Sequence, residues 1–306
     1  MLKKILALLS VLLLPSYKSI GQNEFELLDA SYQCEEKKVF YLLKSGVTPD
    51  VFSEEGITPL MYAIEKGNYY IAEQLLKYGA NPNLIPDNGI PGLITACKNN
   101  HAEIVKLLLD YSANPNVGDE LENTPLIWAA LYGYPLTASY LCFYGADLSH
   151  QNTFGTDAAM IAAWYNDIEI LEVLYNYYAD FNSSDLNGYT PLMIAALKGN
   201  NEACTFLIEH DSDFYRENID GLNAYEIAAT NGNFDTVKLL SSRYSEKNRE
   251  ITKGVTLYEY AVYNEYNNIA EYLVSEIGIN TKKPEVEGKN KNKKVKFASK
   301  NIDEEF

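Results

Sequence analysis

Catalysis or metal binding in this chain would have to draw on three histidines, four cysteines and a large stock of carboxylates. The histidines are His101, His150 and His210, and none stands in an H-E-x-x-H pattern that would set two imidazoles on one helical turn. Cys34, Cys97, Cys142 and Cys204 follow one another at intervals of 45 to 63 residues, with no C-x-x-C pair, so a zinc site has no spacing to rest on. No glycine-rich phosphate loop and no G-x-S-x-G elbow is present. The carboxylates are many, but none is paired with an obvious apolar pocket that would lift its pKa for acid–base work. The expectation is a protein that is not an enzyme, with no catalytic residues, no cofactor and no metal.

Recognition is the chemistry that remains, and charge limits the partner. The formal net charge is −17, concentrated in residues 22–281 because both ends are net basic. Such a surface repels nucleic-acid phosphates and anionic membrane, and attracts basic partners.

The elements that must position a recognition surface announce themselves by repetition. "GITPLMYAIEKGN" at 56–68 returns as "GYTPLMIAALKGN" at 188–200, four steps of 33 residues later. The intermediate steps read "GIPGLITACKNNH" (89–101), "ENTPLIWAALYGY" (122–134) and "GTDAAMIAAWYND" (155–167). Later ones read "GLNAYEIAATNGN" (221–233) and "GVTLYEYAVYNEY" (254–266), and an eroded first unit lies at 24–35. A second phrase, as in "LLKYGANPN" (75–83) and "LLDYSANPN" (108–116), keeps the same beat. Thr58, Thr124 and Thr190 stand before prolines, which is helix-start chemistry. Gly67, Gly133, Gly199 and Gly232 stop that helix, and a second amphipathic helix such as "AEIVKLLLDY" (102–111) follows. Each unit cannot bury its apolar face alone, so stacking is obligatory.

The 33-residue T-P-L…A-A…G / L-L-x-x-G-A-x-x-N pattern resembles the ankyrin repeat family over about 260 residues. Met61, Ile94, Ile127, Met160 and Met193 replace the family's histidine, and Asp157-Ala158-Ala159 stands where T-P-L is expected. The resemblance implies an all-α repeat solenoid, an ankyrin repeat stack of about eight 33-residue helix-turn-helix units with hairpin-like loops, over residues 22–281. The histidines then fall in units three, four and six and share no face. The cysteines are expected to remain free thiols acting as small core residues.

The resemblance also implies where a partner docks: on a concave face made by the loop tips and the exposed end of each first helix. Those positions turn apolar in units four to six. The expected protein-binding residues are Leu131, Tyr132, Trp164, Tyr165 and Leu197 on the helices, with Leu121, Phe154, Leu186 and Tyr189 at the tips. Trp128 is expected to pack on its neighbours. Glu120, Glu122, Asp157, Asp167 and Asp185 are expected to form an acidic rim favouring a partner with basic edges. The implied function is a non-catalytic protein–protein interaction scaffold. The alternatives are a secreted effector engaging a host protein, or an immunity or inhibitor protein for a partner enzyme.

Residues 1–21 read as a signal peptide: a basic "MLKK", the apolar run "ILALLSVLLL", and Ser19 and Gly21 before the cut. That run is short for a bilayer span. A periplasmic or secreted bacterial protein, monomeric and with no membrane insertion after cleavage, is the expectation. Residues 282–306, rich in lysine and poor in apolar side chains, are expected to form a disordered tail.

Overall fold

Sixteen helices, taken in pairs, make up most of the described chain. The computed structural model describes residues 21–242, 250–252 and 255–279. The segment read as a signal peptide, apart from Gly21, and the whole Lys-rich tail lie outside them. Unit one pairs Gln22–Tyr32 with Glu36–Lys44, unit two Pro59–Glu65 with Tyr69–Lys77, and unit three Gly92–Lys98 with Ala102–Asp110. Unit four pairs Pro125–Leu131 with Pro135–Phe143, and unit five Ala158–Tyr165 with Ile168–Asn176. Pro191–Lys198 and Asn201–Glu209 form unit six, Ala224–Thr230 and Phe234–Ser241 unit seven, and Leu257–Tyr263 and Asn267–Ser275 unit eight. A short antiparallel pair, Glu250–Thr252 with Val255–Thr256, leads into unit eight.

Local chemistry fixes most of the first-helix starts. The hydroxyls of Thr58, Thr124 and Thr190 accept the N–H of the residue three positions on, at 3.3, 3.4 and 3.3 Å. Asp157 does the same in unit five, accepting from Met160 at 2.9 Å. Asn223 and Glu226 exchange reciprocal bonds of 3.1 Å, closing a capping box in unit seven. Alanines at 129, 162, 163, 195, 196, 228 and 229 are buried, so the first helices of successive units pack closely against one another. Second helices pack in a parallel layer through residues such as Ile104, Leu108, Leu141, Leu174 and Leu207. Burying each such side chain contributes roughly 1.5–3 kcal/mol, which a lone unit would forfeit.

Polar side chains at the 33-residue step then stitch unit to unit. Asn200 donates to the carbonyls of Ala163 and Trp164 at 2.9 and 2.8 Å, and Asn233 repeats this on Ala196 and Leu197. At the far edge Asn83 accepts from the Asn114 N–H and donates to the Ser112 carbonyl. Asn116 and Asn182 repeat the bridge one and three units along. Satisfying the free carbonyls at a helix end from the next unit makes the stack cooperative.

Three cysteines, Cys97, Cys142 and Cys204, are buried in the core, where burial pushes the Cys142 and Cys204 thiols up to about 12. Cys34 departs from the expectation of a core residue. It is exposed, at φ 58, in the helix-stop position that Gly67 and Gly133 fill elsewhere.

Tyr178 sits at φ 66 and is 94% exposed, where units two and four place Gly79 and Gly145. A left-handed backbone costs an L-residue about 1–2 kcal/mol, and this ring buries almost nothing in return. Tyr178→Gly is therefore expected to raise the unfolding free energy by about 1 kcal/mol in a urea titration.

Candidate protein-docking site

The floor of the candidate site is the row of first helices in units four to six. Asp157 starts the unit-five helix and Asn166, at φ 56, stops it. Between them Ala162 and Ala163 face neighbouring helices, which leaves Trp164 and Tyr165 on the last turn. Tyr165 is 49% exposed, and the corresponding Tyr132 of unit four is 46% exposed. Leu131, Trp164 and Leu197 are half-buried against the core. A shallow cleft of about 560 Å³ between units four and five gathers Leu131, Tyr132, Tyr165 and Asp167 around the turn at Gly133.

Trp128 is half-buried, and its indole N–H donates to Asp119 at 2.9 Å. Its ring stacks on Tyr132 at 5.7 Å, and Tyr132 on Tyr134 at 5.8 Å, so the unit-four rings form one continuous aromatic strip. Lysines lie over both tryptophans. The Lys98 ammonium is 4.0 Å from the Trp128 ring centre, and that of Lys198 is 3.9 Å from the Trp164 ring centre. Both distances are well inside the range of cation–π attraction.

At the tips each hairpin is organised by one side chain. Asp119, Asn152, Asp185 and Asn218 each accept the N–H groups two and four residues on. Backbone bonds from Thr153 to Leu121 and from Ile219 to Asn187 then join tip to tip. Leu121 is 48% and Leu186 71% exposed, and Phe154 is half-buried.

Three expected site residues are corrected. Tyr189 is 5% exposed; its backbone is tied to Asp185 and its phenol meets Asn218 of the next unit, so it is a packing residue. Asp185 is buried because it is the hairpin organiser, and that burial raises its pKa. Asp157 is 1% exposed; its carboxylate takes the helix-start N–H of Met160 and the Ser183 hydroxyl, and burial pushes it up to about 6. Asp167 is half-buried and caps the second helix of unit five, accepting from Ile170 at 3.0 Å. Of the five expected rim residues, Glu120 and Glu122 alone are well exposed.

Two features went unseen in the sequence. Ile219, 71% exposed, repeats the tip position of Leu186 one unit on, and stepping 33 residues from Leu186 would have found it. The lysine caps had no sequence signal, because where a long side chain lies depends on the adjoining unit.

The histidines do not converge. His101 fills the space beside Gly67, His150 meets the Glu122 carbonyl at 2.9 Å, and His210 stacks on Phe206 at 4.1 Å. Among the described residues no group of three or more His, Cys, Asp or Glu is placed to hold a metal ion, and no helix is long and apolar enough to cross a membrane.

A helix-pair solenoid with an aromatic floor along its first helices is thus the class of protein on view. The family model for ankyrin repeats in three copies matches residues 79–152 and 159–251, and that for a single ankyrin repeat matches residues 55–88. Those matches span more than half of the sequence, and the chain belongs to the ankyrin repeat family. A comparison with curated proteins found no match. Ankyrin repeats generally mediate protein–protein interactions and are typically non-catalytic scaffolds.

Proposed function

We propose that this chain is an exported, non-catalytic scaffold that holds a protein partner on the floor of units four to six. The observation that carries the proposal is the run of aromatic side chains from Trp128 through Tyr132 to Tyr165 and Trp164, partly open to solvent along one row of helix ends. Contiguous exposed aromatics are uncommon on a surface with no partner. Trp and Tyr are the side chains that carry interface energy, at about 2 kcal/mol or more each at a hot spot. Leu121, Leu186 and Ile219 extend apolar surface to the tips. Export is supported by the basic, apolar and small-residue order of the first 21 residues. A periplasmic or extracellular partner follows from it. With Asp157 and Asp185 buried, the carboxylates left beside the floor are Asp167 and Glu169, which line the cleft, and Glu120 and Glu122 at the unit-four tip.

Trp164→Ala combined with Tyr165→Ala is expected to abolish capture of the partner from the exported fraction. Tyr165→Ala alone, which removes the more exposed ring, should weaken capture with little change in the thermal melt, whereas the double variant also loses the packing of half-buried Trp164. Undiminished capture would refute the floor as the site.

A further inference from the structure

We propose that the cleft between units four and five takes an arginine side chain of the partner, its guanidinium laid against Tyr132 and Tyr165 and hydrogen-bonded to Asp167 and Glu169. This rests on the docking role argued above and adds the chemistry of the partner. The cleft, of about 560 Å³, has two tyrosines and two carboxylates in its lining and no basic residue. Charge around it is of one sign. The first helices of units four and five, Pro125–Leu131 and Ala158–Tyr165, carry no charged residue. The second helices of units four, five and six contribute Glu169, Glu172, Glu202 and Glu209 and no lysine or arginine. The 33-residue step accounts for the missing cations: Tyr132 and Tyr165 stand where units two and six place Lys66 and Lys198. Lys98 and Lys198 lie over Trp128 and Trp164 and take no part in the cleft lining.

The carboxylates are placed to receive a cation. Asp167 accepts the Ile170 N–H through Oδ1 at 3.0 Å. Its Oδ2 lies over Gly133, where a Cβ would come within 2.9 Å of it, so glycine at that turn gives the oxygen its room. Two residues on, Glu169 is exposed in the first turn of the same helix and makes no ion pair or side-chain hydrogen bond among the described residues. Asn166, which also lines the cleft, donates to Glu202 at 2.9 Å and so holds a third carboxylate beside it. An ammonium would meet these groups as a point charge. A guanidinium is flat, lies against a phenol ring, and forks its N–H donors toward two acceptors, so arginine uses both kinds of residue in the lining. An acidic side chain would meet like charge from Asp167 and Glu169.

The test uses the full chain and a phage-displayed library of random dodecapeptides. Peptides recovered on the wild-type chain are synthesised, and their binding to wild type and to Tyr165→Ala is measured by fluorescence anisotropy. Those weakened by Tyr165→Ala are expected to share an arginine next to apolar residues. Replacing that arginine by citrulline, which keeps its length and removes its charge, is expected to weaken binding about tenfold. Asp167→Asn combined with Glu169→Gln is expected to do the same to the arginine peptide and to leave the citrulline peptide unchanged. Asparagine retains the cap on Ile170, so the thermal melt of this variant should match wild type. Peptides that depend on Tyr165 but share no arginine, or bind equally well with citrulline, would overturn the arginine inference and leave the floor as the site. Recovered peptides that are all indifferent to Tyr165→Ala would overturn the floor itself.

Discussion

Asp157→Asn is expected to stabilise the protein by about 2–3 kcal/mol at pH 7.5 and to leave it nearly unchanged at pH 4. The Asp157 carboxyl is buried at the start of the unit-five helix, and that burial raises its pKa to about 6. A raised carboxyl pKa means that the folded state prefers the proton. The stabilisation from this group is complete below the unfolded value near pH 4 and is lost as the pH climbs through about 6. Above that, wild type folds with a buried negative charge, which the amide avoids. Asparagine also keeps both contacts: its oxygen accepts from the Met160 N–H, and its NH₂ donates to the Ser183 hydroxyl. Comparing variant with wild type cancels the other carboxylates, including Asp110, whose pKa is lowered by Tyr144 and Lys106. Urea titrations at the two pH values check the result. A stability difference that is the same at both would show that folding does not raise the pKa of Asp157.

Gly155→Ala is expected to destabilise the protein by about 2–4 kcal/mol, combining left-handed strain with overpacking. Gly155 has φ 79, and a Cβ there would lie 2.8 Å from the backbone nitrogen of Leu186 and 3.0 Å from its Cγ. The first of these atoms belongs to a backbone that is itself fixed by Asp185, so it cannot swing away as a flexible side chain would. The tips of units five and six must then part, carrying Phe154 and Leu186 with them. A loss well under 1 kcal/mol in thermal or urea unfolding would show that the tips are looser than their hydrogen bonds indicate.

Much of this architecture could be read from the chain, for a physical reason. A repeat of fixed length must satisfy the same helix starts, stops and packing faces each time, so Thr58, Thr124 and Thr190 reveal one another. The same logic marked Tyr132 and Tyr165 as surface residues, because they fall two residues past the buried alanine pair. It failed where a residue's role is set by the adjoining unit. Tyr189 follows a tip glycine and looks exposed, yet the next hairpin covers it. Asp157 and Asp185 carry charge and look like rim, yet each is used up by backbone N–H groups. The bridges of Asn83, Asn116 and Asn182 join positions about thirty residues apart, a pairing that has no local signature.

The central claim is that a partner lies on the first-helix floor of units four to six. A photoreactive p-benzoylphenylalanine placed at position 165, on that floor, and in a second variant at position 178, at the opposite end of unit five, tests it most directly. Both sites are exposed tyrosines, and position 178 is the more open of the two, so a product from position 165 alone would not be a matter of access. Irradiation in the producing cells should join position 165 to one discrete protein and position 178 to none. A discrete product from 178 with none from 165 would contradict the account.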